Sequence, residues 1–207
     1  MAARTVYIIL FRGVGGATQL PTAPLRAALT AAGFEGVATY INSGNAVLAS
    51  RLRREKVIET VADICREKFG FTKAIFAPTL AEWETLIANN PFPDVREGKH
   101  LHAALLEARP TAVAVTALLS HAKPGEGLKI VGDVAYLHTP FGFGTSKLAE
   151  RFDKGLGVPN TARNWNTVRK LRDLVAALAY GGDGAAGRGV LANRSDEVRA
   201  GLSLADN

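Results

Sequence analysis

Apolar residues along this chain occur in short alternating runs and in helical stripes, and their order predicts two α+β halves. The first runs are β-rich in YIILF, helical in LRAALTAAGF, and β-rich again in VATYI and AVLAS around the turn NSGN. A helical stripe from about Arg53 to Phe69 and the strand TKAIFA complete the series. Residues 4–77 therefore predict β-α-β-β-α-β, the ferredoxin-like order.

The pattern starts again after a connecting helix, where Thr79 and Glu82 have the spacing of a capping box. HLHAALLEA predicts a strand, PTAVAVTALLSH a helix, and LKIVG with VAYLH a hairpin, and helices follow from about Thr145 and Thr161. The second half thus ends in a helix rather than a strand. We predict an α+β fold with a ferredoxin-like half, a connecting helix and loop, a second α+β half with basic C-terminal helices, and a Gly-rich mobile tail, over 1–78, 79–97, 98–180 and 181–207.

The composition is that of a globular protein without a membrane segment. The 207 residues are 47% hydrophobic and 21% charged, which excludes disorder for most of the chain. The N-terminal apolar run TVYIILF is too short for a bilayer span or for a secretory signal. We therefore expect a cytoplasmic protein with no membrane partner.

Few residues are suited to metal or redox chemistry. The one cysteine, Cys65, lies on the apolar side of a predicted helix and cannot form an internal disulfide. His100 and His102 would point to one face of a strand, but we see no Cys, Asp or Glu near them at ligand spacing. The sequence therefore predicts no metal and no cofactor.

The positive charge is concentrated near the end of the predicted fold. The formal net charge is +6, and the segment from Thr139 to Tyr180 contains seven Lys or Arg against three Asp or Glu. A local surplus of this kind favours an anionic partner. The polar motifs in loops and at helix starts are the candidates for its binding site.

Two of these motifs lie in the first half. RGVGG places Arg12 and Gly13 between a strand and a helix, where backbone amides can surround an anion. NSGN places Ser43 and Asn45 in a hairpin turn, a role that Asn, Ser and Gly also fill without any ligand. Both a ligand site and a simple turn therefore stay open for these segments.

Two further motifs lie in the basic C-terminal segment. In GFGTSKLAER, the hydroxyl of Ser146 and the ammonium of Lys147 meet at a helix start, where unpaired amides favour an anion. In TARNWNTVRKL, Trp165 belongs to a buried stripe, and asparagine is suited to capping or to holding a ligand in a first helical turn. The polar candidates from this motif are Arg163, Asn164, Asn166 and Lys170.

Several of these motifs occur together in a known family. YIILFRG, VATYINSGNAVLAS, SKL and TARNWNTVRKL resemble, over roughly residues 4–178, the bacterial family called domain of unknown function 1697, or DUF1697. The resemblance implies a cytoplasmic α+β protein and assigns no activity to it. The loop RGVGGATQ departs from the family pattern, because it is two residues shorter and lacks an asparagine and a lysine. The resemblance marks as motif positions Arg12, Gly13, Ser43, Gly44, Asn45, Ser146, Lys147, Arg163, Asn164, Trp165, Asn166 and Lys170.

We interpret these residues as a surface that binds a phosphate-bearing ligand, either a nucleotide or a nucleic acid segment. Lys147, Arg163 and Lys170 would supply charge, and Ser146, Asn164 and Asn166 would supply directional hydrogen bonds. One alternative is a phosphoryl- or acyl-transfer enzyme that uses the region of Ser146, Lys147 and Arg163. Another is a scaffold or interaction protein without a ligand. Whether the protein catalyses a reaction stays open at this point.

Overall fold

A computed structural model of the chain describes residues 3–14, 20–41 and 44–181. Within these ranges, eight strands, β1 to β8, cover Thr5–Phe11, Glu35–Thr39, Asn45–Ser50, Ile75–Phe76, Leu101–Leu106, Gly127–Val131, Val134–His138 and Asn160–Asn164. Six α-helices, α1 to α6, cover Thr22–Ala31, Arg54–Phe69, Leu80–Ala88, Ala112–Leu119, Lys147–Gly155 and Trp165–Tyr180. Short 3-10 helices lie at Gly98–His100 and Phe143–Thr145.

Each half of the chain forms its own four-stranded antiparallel sheet. The strand order is β2-β3-β1-β4 in the first sheet and β6-β7-β5-β8 in the second. Numbered within each half, both orders are the same, and both halves have the β-α-β-β-α-β connectivity of ferredoxin-like folds. The predicted α+β class with two similar halves is confirmed, and the halves form two sheets rather than one.

One element of the second half differs from the prediction. Asn160–Asn164 is the strand β8, paired antiparallel with β5, where a helix was predicted to begin. The following helix, α6, begins only at Trp165. The strand was not predicted because NTARN lacks the alternation of apolar and polar residues that is typical of strands. Its polar side chains instead form hydrogen bonds within the folded protein. The helix predicted from about Thr145 is α5, and it begins at Lys147.

The two sheets enclose a shared core that contains α3 and α6. Inward-facing residues of β1 and β5, among them Ile8 and Leu101, pack in this core with Trp83 of α3 and Trp165 of α6. The outer face of the first sheet is covered by α1 and α2, and that of the second by α4 and α5. Burial of this apolar area is the main stabilising contribution to the fold. Cys65 lies in the outer core of the first half, where burial raises the pKa of its thiol to about 12.

Two buried hydrogen bonds fix the shared core. Trp83 Nε1 donates to the Val168 carbonyl at 2.9 Å and so joins α3 to α6. The Tyr136 hydroxyl donates to the Leu86 carbonyl at 2.6 Å and joins β7 to α3. α3 and α6 belong to the core of both halves. The shared core therefore does not test the domain boundaries predicted after residues 78, 97 and 180, and these remain predictions.

The described helices have no membrane-spanning candidate. None of them combines the length and the hydropathy that a bilayer crossing requires. The predicted Gly-rich tail, 181–207, lies outside the described residues apart from Gly181.

Candidate functional site

Arg163 projects from β8 into the boundary between the two halves. Its Nε donates to Oδ1 of Asn45 at 2.5 Å. Its Nη2 donates to the carbonyls of Phe11 at 3.1 Å and Gly44 at 2.9 Å. The guanidinium therefore connects an edge strand of the second half to the ends of β1 and β3 in the first.

The remaining two N–H groups of Arg163 bond within β8. Its Nη1 donates to Oγ1 of Thr161 at 2.9 Å and to the Ala162 carbonyl at 2.8 Å. A guanidinium has five N–H donors, and these five acceptors use all of them. Burial lowers the pKa of Arg163 to about 10, so the group stays charged at neutral pH. No donor is left over for a phosphate oxygen while this arrangement holds.

The turn before β3 is shaped to present acceptors to Arg163. Asn45 is buried, and its Nδ2 donates to the Tyr40 carbonyl at 3.1 Å, which orients its Oδ1. Gly44 has a φ of +73°, and a Cβ there would lie 2.8 Å from Cβ of Val14, so the position requires glycine. This explains part of the NSGN motif without a ligand. Ser43, predicted as a ligand contact, lies outside the described residues.

Arg12 enters the same boundary through α5. Its Nη2 donates to Oδ1 and Oδ2 of Asp153 at 3.0 and 3.1 Å. Asp153 Oδ1 also accepts from Nδ2 of Asn160 at 3.1 Å. Gly13 follows with a φ of +65° and lies beside the side chain of Lys73. We define the polar junction as Arg12, Asn45, Asp153, Asn160 and Arg163.

Ser146 and Asn164 cap the helices that follow them. Ser146 Oγ accepts from the backbone N–H of Ala149 at 3.1 Å, and Asn164 Oδ1 accepts from that of Thr167 at 3.0 Å. Ser146 is only 3% exposed. Each cap satisfies an N–H group that an anion would otherwise bind. Both predicted ligand contacts are therefore used inside the protein.

The other predicted residues lie on the surface. Lys147 is exposed and pairs with Glu150 at 3.1 Å, and this pairing holds the pKa of the Glu150 carboxyl below its ordinary value. Asn166 lies against Gly98, where an added Cβ would overlap its amide. Lys170 is exposed on α6. The structure therefore brings Arg12, Asn45 and Arg163 together internally and leaves the exposed cations elsewhere.

An exposed aromatic loop lies between β7 and α5, and its two phenylalanines were not predicted as site residues. Phe141 is 62% exposed and Phe143 is 38% exposed. Phe143 lies over the imidazole of His102 with 4.2 Å between the ring centroids. Thr145 Oγ1 bonds the carbonyls of Phe141 and Gly142 at 2.9 and 3.2 Å, which fixes the loop. The sequence signal for this loop was PFGFG, in which two phenylalanines alternate with glycines after a proline.

His102 supports this loop as a neutral ring. Burial lowers its pKa to about 4, and its buried Nδ1 has no hydrogen-bond partner in the described part of the chain. The cations beside the loop begin with Lys123, whose Nζ donates to the Thr145 carbonyl at 3.4 Å. Three exposed cations, Lys147, Arg151 and Lys154, lie at helical spacing on α5. We define the aromatic–basic surface as Lys123, Phe141, Phe143, Lys147, Arg151 and Lys154.

The fold contains a second boundary that is equivalent to the polar junction. Asn45 opens β3 opposite Leu10 of β1. In the second half, Val134 opens β7 opposite Leu105 of β5. Leu10 and Leu105 both face the shared core, so Val134 takes the place that Asn45 has in the first half.

The counterpart of Arg163 follows from the helix caps. Thr79 follows β4 and caps α3, and Asn164, the last residue of β8, caps α6. The residue before the cap is Pro78 in the first half and Arg163 in the second. Asn45 and Arg163 of the polar junction are therefore replaced by the apolar residues Val134 and Pro78 at the second boundary.

This second boundary is an open cleft of about 800 Å³. It lies between β4, α3, the start of α2, the end of β5 and the turn from β6 to β7. The Arg54 Nη2 donates to both carboxylate oxygens of Glu82 at 2.6 Å along one side. None of the nine predicted site residues that the structure describes lines this cleft. Its apolar lining includes Ile58, Ile75, Pro78, Leu86, Val131 and Val134.

Comparison with known proteins places the chain in a family. A family model described as "Protein of unknown function (DUF1697)" matches residues 4–136. The chain belongs to the DUF1697 family. The resemblance predicted from the sequence is thereby confirmed.

A solved structure has a similar fold. The conserved bacterial protein SP0830 from Streptococcus pneumoniae is similar to this DUF1697 protein with a TM-score of 0.63 and 25% sequence identity. The similarity covers 84% of this chain and 99% of that one. A search of curated proteins gave no match.

The family match includes one part of the polar junction and ends before the other. Residues 4–136 of this DUF1697 protein contain Arg12, Asn45 and every residue that lines the cleft, whereas β8 and the aromatic loop follow the matched part. Over residues 3–14, 20–41 and 44–181, no three His, Cys, Asp or Glu side chains gather closely enough to hold a metal ion.

Proposed function

We propose that this DUF1697 protein binds a phosphate-bearing ligand, a segment of single-stranded nucleic acid, at the aromatic–basic surface. The observation that carries the proposal is the pair of exposed rings, Phe141 and Phe143, held beside exposed cations. Single-stranded nucleic acids are bound by aromatic rings that stack on bases and by cations that contact the backbone.

The rings suit stacking better than insertion into a membrane. One side of Phe143 lies against His102, and Phe141 lies beside Gly125, so both rings are held against the protein. A ring supported on one side leaves its other face for a planar base. The hydrogen bonds of Thr145 order the loop before binding, which lowers the entropic cost of association.

The cations supply the complementary charge. Lys147, Arg151 and Lys154 recur along one exposed face of α5, about 6 and 4.5 Å apart along the helix axis. Lys123 adds a further ammonium at the N-terminal end of α5. Glu150 partly neutralises this stripe through Lys147, so we expect a moderate rather than a strong dependence on salt.

The proposal uses only part of the predicted site. Lys147 is retained as a phosphate contact, while Arg163 and Arg12 have the structural partners described above. A transferase reaction is not included, because the Ser146 hydroxyl is buried and used as a helix cap. Asn166 and Lys170 are exposed near the start of α6 and are not part of the aromatic–basic surface, so their role as ligand contacts stays a separate prediction.

Fluorescence anisotropy with a labelled oligothymidylate of about twelve nucleotides tests the proposal. Because stacking on one ring contributes about 1–3 kcal/mol, Phe141→Ala and Phe143→Ala should each weaken binding at least about five-fold. Tyr180→Ala is the matched control, since Tyr180 is an exposed aromatic residue on α6. We expect Lys147→Gln to weaken binding and Lys68→Gln, an exposed site on α2, to leave it unchanged.

The salt dependence separates the possible outcomes. Two to three phosphate contacts predict a log-log slope of about −2 with salt concentration. Equal affinity for a mononucleotide and the oligonucleotide would restrict the ligand to a nucleotide. Binding to anionic lipid vesicles but not to the oligonucleotide, or no effect of either Phe variant, would contradict the proposal and favour a membrane surface or a scaffold.

A further inference from the structure

We propose that the cleft between the two halves is a second ligand site, for a compact, uncharged and largely apolar organic molecule that carries a carbonyl-type hydrogen-bond acceptor. The inference is independent of nucleic acid binding, because the cleft and the aromatic–basic surface have no residue in common. It rests on the size of the cleft, on one unpaired donor and on the charge at its rim.

The dimensions and walls of the cleft fit a small molecule. Its volume of about 800 Å³ lies within the range of about 300–1,000 Å³ that such sites occupy. Apolar side chains from both halves form its walls, including Ile75 from the first and Val134 from the second. A site between two structural units with apolar walls and few polar groups is the usual arrangement for ligand binding.

Arg54 supplies a donor that lacks a partner. Its Nη2 is occupied by the Glu82 carboxylate. Its Nε is buried, and among the described residues it has no hydrogen-bond partner. Leaving a buried N–H unpaired is unfavourable, and Arg54 lines the cleft. A ligand carbonyl is the simplest group that would satisfy this donor.

The rim of the cleft disfavours an anionic ligand. Glu82, Glu107 and Asp133 line it together with a single cation, Arg54. An anion entering there would meet a net negative field, in contrast to the aromatic–basic surface. This charge distribution separates the ligand of the cleft from a phosphate-bearing one.

An extended peptide fits this boundary less well. The edge strand β4 has only two residues, Ile75 and Phe76, and Pro78 has no N–H to donate. Adding a strand to a sheet edge requires a row of free backbone groups. A small molecule therefore fits the observations better than a partner strand.

The test uses two fluorescent naphthalenes of different charge with the full-length protein. Prodan is uncharged and carries a ketone, whereas anilinonaphthalene sulfonate is anionic. We expect saturable binding of Prodan with an affinity at least about ten-fold higher than that of the sulfonate. Ala81→Trp, which fills the cleft from an exposed position of α3, should weaken Prodan binding at least about ten-fold.

Matched variants isolate the cause. Ala88→Trp makes the same change at another exposed alanine of α3 that does not line the cleft, and should leave Prodan binding unchanged. Arg54→Lys keeps the positive charge but removes the Nε donor, and should weaken binding of the ketone about three- to ten-fold. Arg53→Lys is its control. Oligonucleotide affinity should not change in Ala81→Trp.

Three results would overturn the inference. The first is that wild-type protein fails to bind Prodan saturably below about 1 mM. The second is that Ala81→Trp and Ala88→Trp bind it equally well. The third is that Ala81→Trp alters the sedimentation of the protein, which would make the cleft an interface between copies of the chain.

Discussion

The two boundaries between the halves are built from equivalent elements, yet one is closed by hydrogen bonds and the other is open. At the polar junction, Arg163 and Asn45 bond across the boundary. At the cleft, the same two positions are Pro78 and Val134, which have no polar side-chain atoms and leave about 800 Å³ between the halves. A repeated fold therefore places one structural connection and one candidate ligand site at related positions.

The polar junction and the cleft have equivalent backbone elements, so their side chains determine whether the boundary is closed or open. A long cation with five donors fills a boundary only where five acceptors are already fixed, and the turn at Gly44 supplies two of them through Gly44 and Asn45. A proline and a valine cannot use such acceptors. Their boundary is lined by α3 and the β6–β7 turn, among other elements, and its walls are mainly apolar.

The largest effect is expected for the loss of Arg163. Arg163→Met leaves several partly buried acceptors unpaired, so we predict a decrease of about 3 kcal/mol in the free energy of unfolding. At the equivalent position, Pro78→Ala should cost only about 0.5 kcal/mol, mainly through added freedom of the unfolded chain. Urea unfolding followed by the fluorescence of Trp83 and Trp165 measures both.

Arg169 provides the control for this comparison. It is exposed on α6, and Arg169→Met should change stability by less than about 0.5 kcal/mol. Equal effects of the Met substitutions at 163 and 169 would show that the polar junction does not hold the halves together.

A smaller effect is expected for the coupling between Arg163 and Asn45. Their hydrogen bond joins a charged donor to a neutral acceptor, and such bonds contribute about 1.5–3 kcal/mol. A double-mutant cycle with Arg163→Met and Asn45→Ala should therefore give a coupling free energy of about 1.5 kcal/mol. A value near zero would mean that the two side chains act separately.

The caps beside the two boundaries should respond differently to pH. Asn164 has no ionisable group, so Asn164→Ala should cost about 1 kcal/mol at every pH at which the protein is folded. At Thr79 the cap includes Glu82. Burial raises the Glu82 pKa, but hydrogen bonds from Thr79 and Arg54 outweigh burial, and the net pKa is lowered.

The sign of the pH effect follows from this lowered value. The unfolded chain takes up a proton near the ordinary pKa of 4.5, before the folded protein does, so the Glu82 contribution is complete above that pH. It is lost as the pH falls below 4.5 toward the folded value. Glu82→Gln should therefore destabilise the protein at pH 7 and converge with wild type in acid, whereas Asn164→Ala should not converge. A constant difference for Glu82→Gln would contradict this account.

The smallest effect is expected for the outer ion pair of the polar junction. Side-chain exposure is 34% for Arg12 and 59% for Asp153, so solvent screens their attraction. A double-mutant cycle should give a coupling of at most about 0.5 kcal/mol, and salt should reduce it further. A coupling larger than that of Arg163 with Asn45 would reverse our ranking of the two contacts.

Periodicity was sufficient to predict most of the fold. The capping box of Thr79 and Glu82 was predicted and is confirmed, because its signal is local in sequence. The strand β8 was missed because its polar residues obtain their partners from distant segments. Arg163 bonds Asn45 across 118 positions of sequence, and no local pattern reports such a contact.

The site was harder to predict than the fold for the same reason. The residue type of a polar residue in a turn, such as Asn45, does not show whether it binds a ligand or another part of the chain. The cleft has no single motif, because its lining comes from separate elements of both halves, from Arg54 of α2 to Tyr136 of β7. The aromatic loop had a local signal in Phe141 and Phe143, and this signal could be used without the structure.

Chemical-shift mapping of ¹⁵N-labelled wild-type protein titrated with Prodan tests most directly whether one boundary is open and the other closed. We predict that the perturbed amides cluster at Ala77, Ala81, Thr85, residues 131–134 and Tyr136, which line the cleft. Amides at Phe11, Gly44, Asn45 and Arg163 should not change. Perturbation centred on those four residues, or spread evenly over the protein, would contradict the account.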